Sequence, residues 1–222
     1  AKIARVLEQQ GEFLGASDYL QNLWRDYHDS ATVVATSFGI SQTLFANSRR
    51  VTELQKNLRL ADLQKQWQSG TWRRQPNKIS QEALMHEAIT LLHQFRTLYP
   101  ESTQADDAAF SLASAHLTLR RFPEVIAVTN RARHDYPQSS LLSSFSYMEA
   151  LGHFSLRQYL PAIEQAKAVA TGESKDQEFA TFILGQIYHA QDDVKQALAC
   201  YERVRDRFPE ARQAQDSLES RW

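Results

Sequence analysis

The chain has 222 residues, 25 of them basic and 26 acidic, for a formal net charge of -1, with 42% apolar residues and one cysteine. That balance gives no pull toward nucleic acid or an anionic membrane, and the local cations Arg49, Arg50, Lys56, Arg59, Arg73 and Arg74 read as solvated helix faces. No run of 18 apolar residues occurs, so no membrane span is expected, and the single Cys200 excludes an intramolecular disulfide. Cys200 stands in an apolar stretch and reads as a small buried hydrophobe, which leaves the compartment open.

From the N-terminus, Ile3, Ala4, Leu7, Gly11, Ala16, Leu20 and Leu23 recur at helical intervals up to Tyr27-His28-Asp29-Ser30. Residues 1–30 are therefore read as a repeat unit truncated at its front. Residues 31–98 fit less cleanly, as degenerate or inserted helices. Helices are predicted over about 31–46 and about 49–68, the second from Val51, Leu54, Leu58 and Leu63. An exposed loop is predicted at 69–79, and Ser80 with Ala83 and Leu84 opens a helix that runs to Leu98. One helix between Ser30 and Tyr99 then lacks a partner, so either a repeat is distorted or a helix is inserted.

A repeat becomes explicit beyond this point. Tyr99-Pro100-Glu101-Ser102 returns as Tyr136-Pro137-Gln138-Ser139 and as Phe208-Pro209-Glu210-Ala211, at steps of 37 and 72 residues. A fixed period of this length in a helical chain means stacked helix pairs. Three units can be superposed over 99–209. Their small residues are Ala113, Ala150 and Gly185, and each small residue meets a second helix carrying Val125, Ala162 or Ala197. Proline ends the second helix of a unit, while Pro123 and Pro161 sit just inside second-helix starts, where a missing N–H costs little. Asp192 and Asp193 take that starting role in the last unit. Residues 210–222 read as the start of a capping or following helix. A chain already helical at Ala1 and still helical at Trp222 is expected to be part of a longer protein.

The last unit, Leu184-Gly185, Tyr188, Ala197, Tyr201 and Pro209, resembles the tetratricopeptide (TPR) pattern W-x2-L-G-x2-Y…A-x3-F…P. The two units before it lack the aromatic supplied by Tyr188, and no unit has the leading tryptophan. The resemblance implies an all-α, right-handed α-solenoid of helix-turn-helix repeats, one continuous array that binds a protein or peptide partner. In that family the first helices line a concave groove. The rows this places on the groove are Phe110, Tyr147, Phe182; Ser114, Leu151, Gln186; and Leu117, Phe154, His189. Such a groove is apolar and aromatic, suited to an amphipathic helix or extended apolar segment. It lacks the lysines and asparagines with which one TPR subfamily grips a C-terminal carboxylate. The same rows also fit plain packing between neighbouring first helices. The Tyr-Pro-x-Ser closures are similar to those of TPR proteins of the bacterial envelope, which favours periplasm or envelope over cytoplasm.

Chemistry is sparse. His116 and His153 stand at equivalent places without carboxylates or cysteines that would complete a metal site. His86 and His93 are seven apart, where two ligands from one helix are usually four apart. Asp106-Asp107 and Asp192-Asp193 fall at helix starts, where carboxylates complement the helix dipole. No glycine-rich phosphate loop or nucleophile elbow is present, so no cofactor, metal or catalysis is expected. Three roles follow: a protein-interaction module, a spacer or oligomerisation element of a larger polypeptide, or an accessory helical domain of an enzyme. Oligomeric state is not specified.

Overall fold

The computed structural model describes residues 2–10, 12–27, 30–48, 65, 68–70 and 80–208. Among these residues the chain is helical with no strand. It divides into two compact units, one ending at Ala115 and the other beginning at His116.

The first unit contains α1 (Lys2–Gln9), α2 (Phe13–Tyr27), α3 (Ala31–Ser48) and α4 (Gln81–Leu98), and most of α5 (Ala105–Thr118). α1 packs on α2, and α3 packs directly on α4 although residues 49–80 separate them in the chain. The helix expected at about 49–68 and the loop expected at 69–79 lie almost wholly outside the described residues. Ala4, Ala16, Leu20, Trp24, Val33, Ile40, Leu44, Leu84, Ala88 and Leu91 form one buried cluster. α3 approaches its neighbours through small hydroxyl residues. Thr36, Ser37, Ser41 and Ser48 are buried, and each hydroxyl donates at 2.6 Å to a carbonyl three or four residues back. Such back-bonding satisfies a polar group without a partner helix. Glu87 of α4 accepts from Ser17 (2.9 Å) and Gln21 (2.8 Å), tying α2 to α4.

The second unit runs through α6 (Phe122–Asp135), α7 (Leu142–Ser155), α8 (Tyr159–Thr171), α9 (Gln177–Ala190) and α10 (Val194–Arg207). Each packs on the next in chain order, and α7 also touches α9. The core gathers Ala150, Ala162, Ala166, Ala180, Leu184, Ile187, Tyr188, Ala197 and Tyr201. The small residues stand where helices cross: a Cβ added at Gly185 would lie 2.6 Å from Tyr201 Cε1 and 3.2 Å from Cys200 Cβ on α10. Gly152 plays the same part toward α6, since its added Cβ would lie 2.9 Å from Ile126 Cγ1.

Two turn types repeat. Between paired helices, Arg120, Arg157 and Asp192 have positive φ, at 56°, 58° and 62°. The next residue donates its N–H back five places, Arg121 to His116 (2.9 Å), Gln158 to His153 (2.8 Å) and Asp193 to Tyr188 (3.0 Å). This is a Schellman closure built without glycine. Asp193 then caps α10 by accepting from Gln196 N (3.1 Å), so Asp193 serves as the expected start while Asp192 carries the turn. Pro123 lies in the first turn of α6. The other closure falls at Tyr99, Tyr136 and Phe208, whose φ/ψ angles are -133°/56°, -125°/64° and -130°/58°. Ser102 and Ser139 donate their N–H to Tyr99 and Tyr136, each at 3.1 Å, and Ser30 does the same to Tyr27. Ser80 caps α4 by accepting from Ala83 N at 3.0 Å.

Candidate functional site

Of the nine residues placed on a groove by the sequence, eight are half-buried and His189 is exposed. Phe110, Ser114 and Leu117 stand on α5, with Phe110 and Ser114 in the first unit and Leu117 in the second. The other six stand on α7 and α9, which touch one another. Tyr147, Leu151 and Phe154 project from α7, while Phe182, Gln186 and His189 project from α9.

Four of the six, Tyr147, Leu151, Phe154 and Phe182, also press on the second unit's core. The Phe182 ring lies 5.8 Å from that of Tyr201, and Phe154 lies 6.4 Å from Tyr159. Tyr147 also meets a more exposed ring. Its ring centroid is 6.0 Å from that of Phe179 on α9, and Phe179 remains 40% exposed. Phe179 was not among the expected residues, yet it precedes Phe182 by three positions, a spacing that puts two helix residues on neighbouring ground.

A carboxylate sits beside this aromatic pair. Asp176 Oδ2 accepts from Ser143 Oγ (2.8 Å) and Ser144 Oγ (2.6 Å), joining the segment before α9 to the start of α7. Burial, and then the Asp176 charge, push the Tyr147 phenol up to about 12. Two aromatic rings and one hydrogen-bonded anion thus stand together.

A second polar cluster was not legible in advance. Glu149 of α7, 3% exposed, accepts from Arg133 Nη1 of α6 at 2.9 Å, and Arg133 also donates to Gln165 Oε1 of α8 at 2.8 Å. His153 Nε2 stands 3.8 Å from the same carboxylate, while its Nδ1 is 2.7 Å from Gln158 Oε1. The expectation that His153 has no carboxylate nearby is therefore corrected: Glu149 lies one helical turn before it on the same face. The cluster ties three helices together through charge-assisted bonds. His116 is 5% exposed, whereas His86 and His93 are exposed, with His86 Nε2 3.5 Å from Glu82. Among the described residues no group of three or more His, Cys, Asp or Glu side chains is placed to hold a metal ion.

Helices paired in chain order at a spacing near 36 residues, with recurrent closures and small residues at each crossing, define a TPR-like helical-repeat protein. Solved structures agree on this class. A Podosopora anserina protein described as a kinesin light chain with nearly identical TPR-like repeats aligns with a TM-score of 0.58 at 14% identity, covering 92% of this chain and 91% of that one. MamA from Desulfovibrio magneticus RS-1 aligns with a TM-score of 0.57 at 16% identity, covering 92% and 90%. BtubC from P. vanneervenii gives 0.51 at 16% identity, covering 90% of each chain. At these identities the likeness is one of fold. No curated protein matches the chain.

Residues 16–221 match the family described as "T7SS, ESX-1 secretion system protein EccA1, N-terminal domain", and the chain belongs to that family. No described helix is long and apolar enough to cross a membrane.

Proposed function

We propose that this chain is a non-catalytic adaptor of a bacterial secretion system, acting at the cell envelope by holding a protein partner on the face of α7 and α9. TPR-like repeats are protein-interaction scaffolds, and the family supplies the secretion-system setting. The observation that carries the reading is Phe179, a large aromatic left 40% exposed beside the half-buried Tyr147 ring. Aromatic side chains, phenylalanine and tyrosine among them, are enriched at the cores of protein interfaces. Leu151, Phe154, Phe182, Gln186 and His189 extend the same face.

The packing of Tyr147, Leu151, Phe154 and Phe182 against the core supports a second reading, in which these rows are structural and the chain spaces other domains. Phe179 separates the two. Immobilised wild-type chain and a Phe179→Asp variant are compared for retention of the secretion system's own exported proteins. Adaptor function requires loss of retention in the variant at an unchanged melting temperature. Equal retention by both chains rejects the α7/α9 face and favours the spacer.

A further inference from the structure

A separate feature of the second unit lies between α8 and α10. A pocket of about 180 Å³ is lined by Lys167, Thr171, Tyr188, Gln196, Cys200 and Arg203, with Ala170, Leu184 and Ala199 adding aliphatic lining. At ~30 Å³ per water molecule, such a space holds about six waters.

Two cations converge on it from opposite helices. Lys167 of α8 holds its Nζ 5.7 Å from the centroid of the Tyr188 ring, a cation–π contact that keeps the ammonium over the pocket. Arg203 enters from α10. Neither forms an ion pair among the described residues, whereas Arg131, Arg133 and Arg205 each have a carboxylate partner. Both cations line the pocket together with the Cys200 thiol, which burial pushes up while Arg203 and then Lys167 act in the opposite direction. Gln196 and Thr171 add polar atoms, and Ala170, Leu184 and Ala199 add aliphatic surface. That combination matches a carboxylate on a short aliphatic stem: the head meets an ammonium and a guanidinium, and the stem covers the aliphatic lining.

We propose that this pocket receives the side-chain carboxylate of a glutamate or aspartate in a peptide segment of a protein partner. The proposal rests on the adaptor reading only in that a protein partner exists; it concerns a different surface from that of Phe179.

Cys200 is the chain's single cysteine and lines the pocket, so it is a built-in reporter. The neutral reagent dithiodipyridine is reacted with the folded chain in the presence of an acetylated, amidated tetraglutamate peptide or its tetraglutamine counterpart. Tetraglutamate is expected to slow Cys200 modification about threefold at twice its Kd. Tetraglutamine is expected to leave the rate unchanged. The Lys167→Ala/Arg203→Ala double variant alters two exposed side chains, so it is expected to keep its helical signal and lose the protection. Phe179→Asp is expected to keep it, so the two sites fail separately. Amide shifts of Lys167, Thr171 and Gln196 on titration with tetraglutamate give a second readout independent of thiol reactivity. The assignment is overturned by any of four results: equal protection by both peptides, protection that persists in the double variant, inorganic phosphate protecting as well as tetraglutamate, or no amide shifts.

Discussion

Gly185→Ala tests the packing logic of the second unit most directly. The new Cβ would sit 2.6 Å and 2.8 Å from Tyr201 Cε1 and Cδ1, and 3.2 Å from Cys200 Cβ. Carbon atoms pack at about 3.5–4.0 Å, so the ring or the helix must move by roughly 1 Å. Tyr201 is 3% exposed and packed in the core, its ring tilted against that of Phe182 at 5.8 Å. Overpacking costs about 1–3 kcal/mol, and a clash of this depth against a buried ring falls in the upper part of that range, about 2–3 kcal/mol. Alanine recovers about 1 kcal/mol over glycine within a helix, which leaves a net loss of about 1–2 kcal/mol. Two other glycines calibrate that figure. Gly152→Ala meets Ile126 Cγ1 at 2.9 Å, but Ile126 is only half-buried and can give way, so the expected change is within about 1 kcal/mol of zero. Gly39→Ala, on an exposed face of α3 with nothing within 4 Å, should gain about 0.5–1 kcal/mol. Urea unfolding followed by far-UV circular dichroism measures all three, and amide exchange confirms that the Gly185 effect is centred on α9 and α10. Wild-type stability in Gly185→Ala, or a loss in Gly39→Ala larger than that in Gly185→Ala, would refute the close-crossing argument.

The turns and the aromatic face give further tests. Arg157→Gly, at φ 58°, removes a left-handed strain of roughly 1–2 kcal/mol and adds a smaller unfolded-state entropy, for a net gain of about 0.5–1 kcal/mol in urea melts. Asp192→Gly should gain less, because a short polar side chain tolerates that backbone region better. Tyr147 is held at about 12 against an ordinary 10.0, so the folded state keeps a proton that the unfolded chain releases. That contribution is intact below pH ~10 and disappears as pH rises toward about 12, a loss of ~2 kcal/mol that Tyr147→Phe should abolish in stability-versus-pH curves. Arg133→Met should destabilise by about 2 kcal/mol, since Glu149 is left buried without its guanidinium; replacing both by apolar residues should recover most of the loss in a double-mutant cycle.

What was legible in the sequence follows from which features carry a residue-type signature. The Tyr-Pro-x-Ser period is written in proline and serine, and the backbone repeats it: Tyr99, Tyr136 and Phe208 end their helices at nearly the same angles. Ser80 and Asp193 announce their caps because a side-chain oxygen must stand there. The turn at Arg120, Arg157 and Asp192 keeps the same period yet leaves no trace, because glycine, its usual sign, is absent from all three places. Aligning one small residue per unit found Gly185 and overlooked Gly152, which faces the preceding helix pair through Ile126. The pairing of α3 with α4 was hidden because neighbours in sequence are assumed to be neighbours in space, and here residues 49–80 intervene.

The candidate site was half legible for a different reason. Helical periodicity says that a side chain faces a neighbouring helix, but not whether that contact uses up its surface. Tyr147 and Phe182 occupy equivalent places in successive units. Phe182 is stacked near the buried Tyr201, whereas Tyr147 meets Phe179, whose outer side stays open. The distinction is set by what the neighbouring helix presents, Tyr201 of α10 in one case and the exposed Phe179 of α9 in the other. A pattern within a single helix contains no such information. For the same reason the α8/α10 pocket draws its two cations from helices 36 positions apart, a juxtaposition that exists only once the hairpins are stacked.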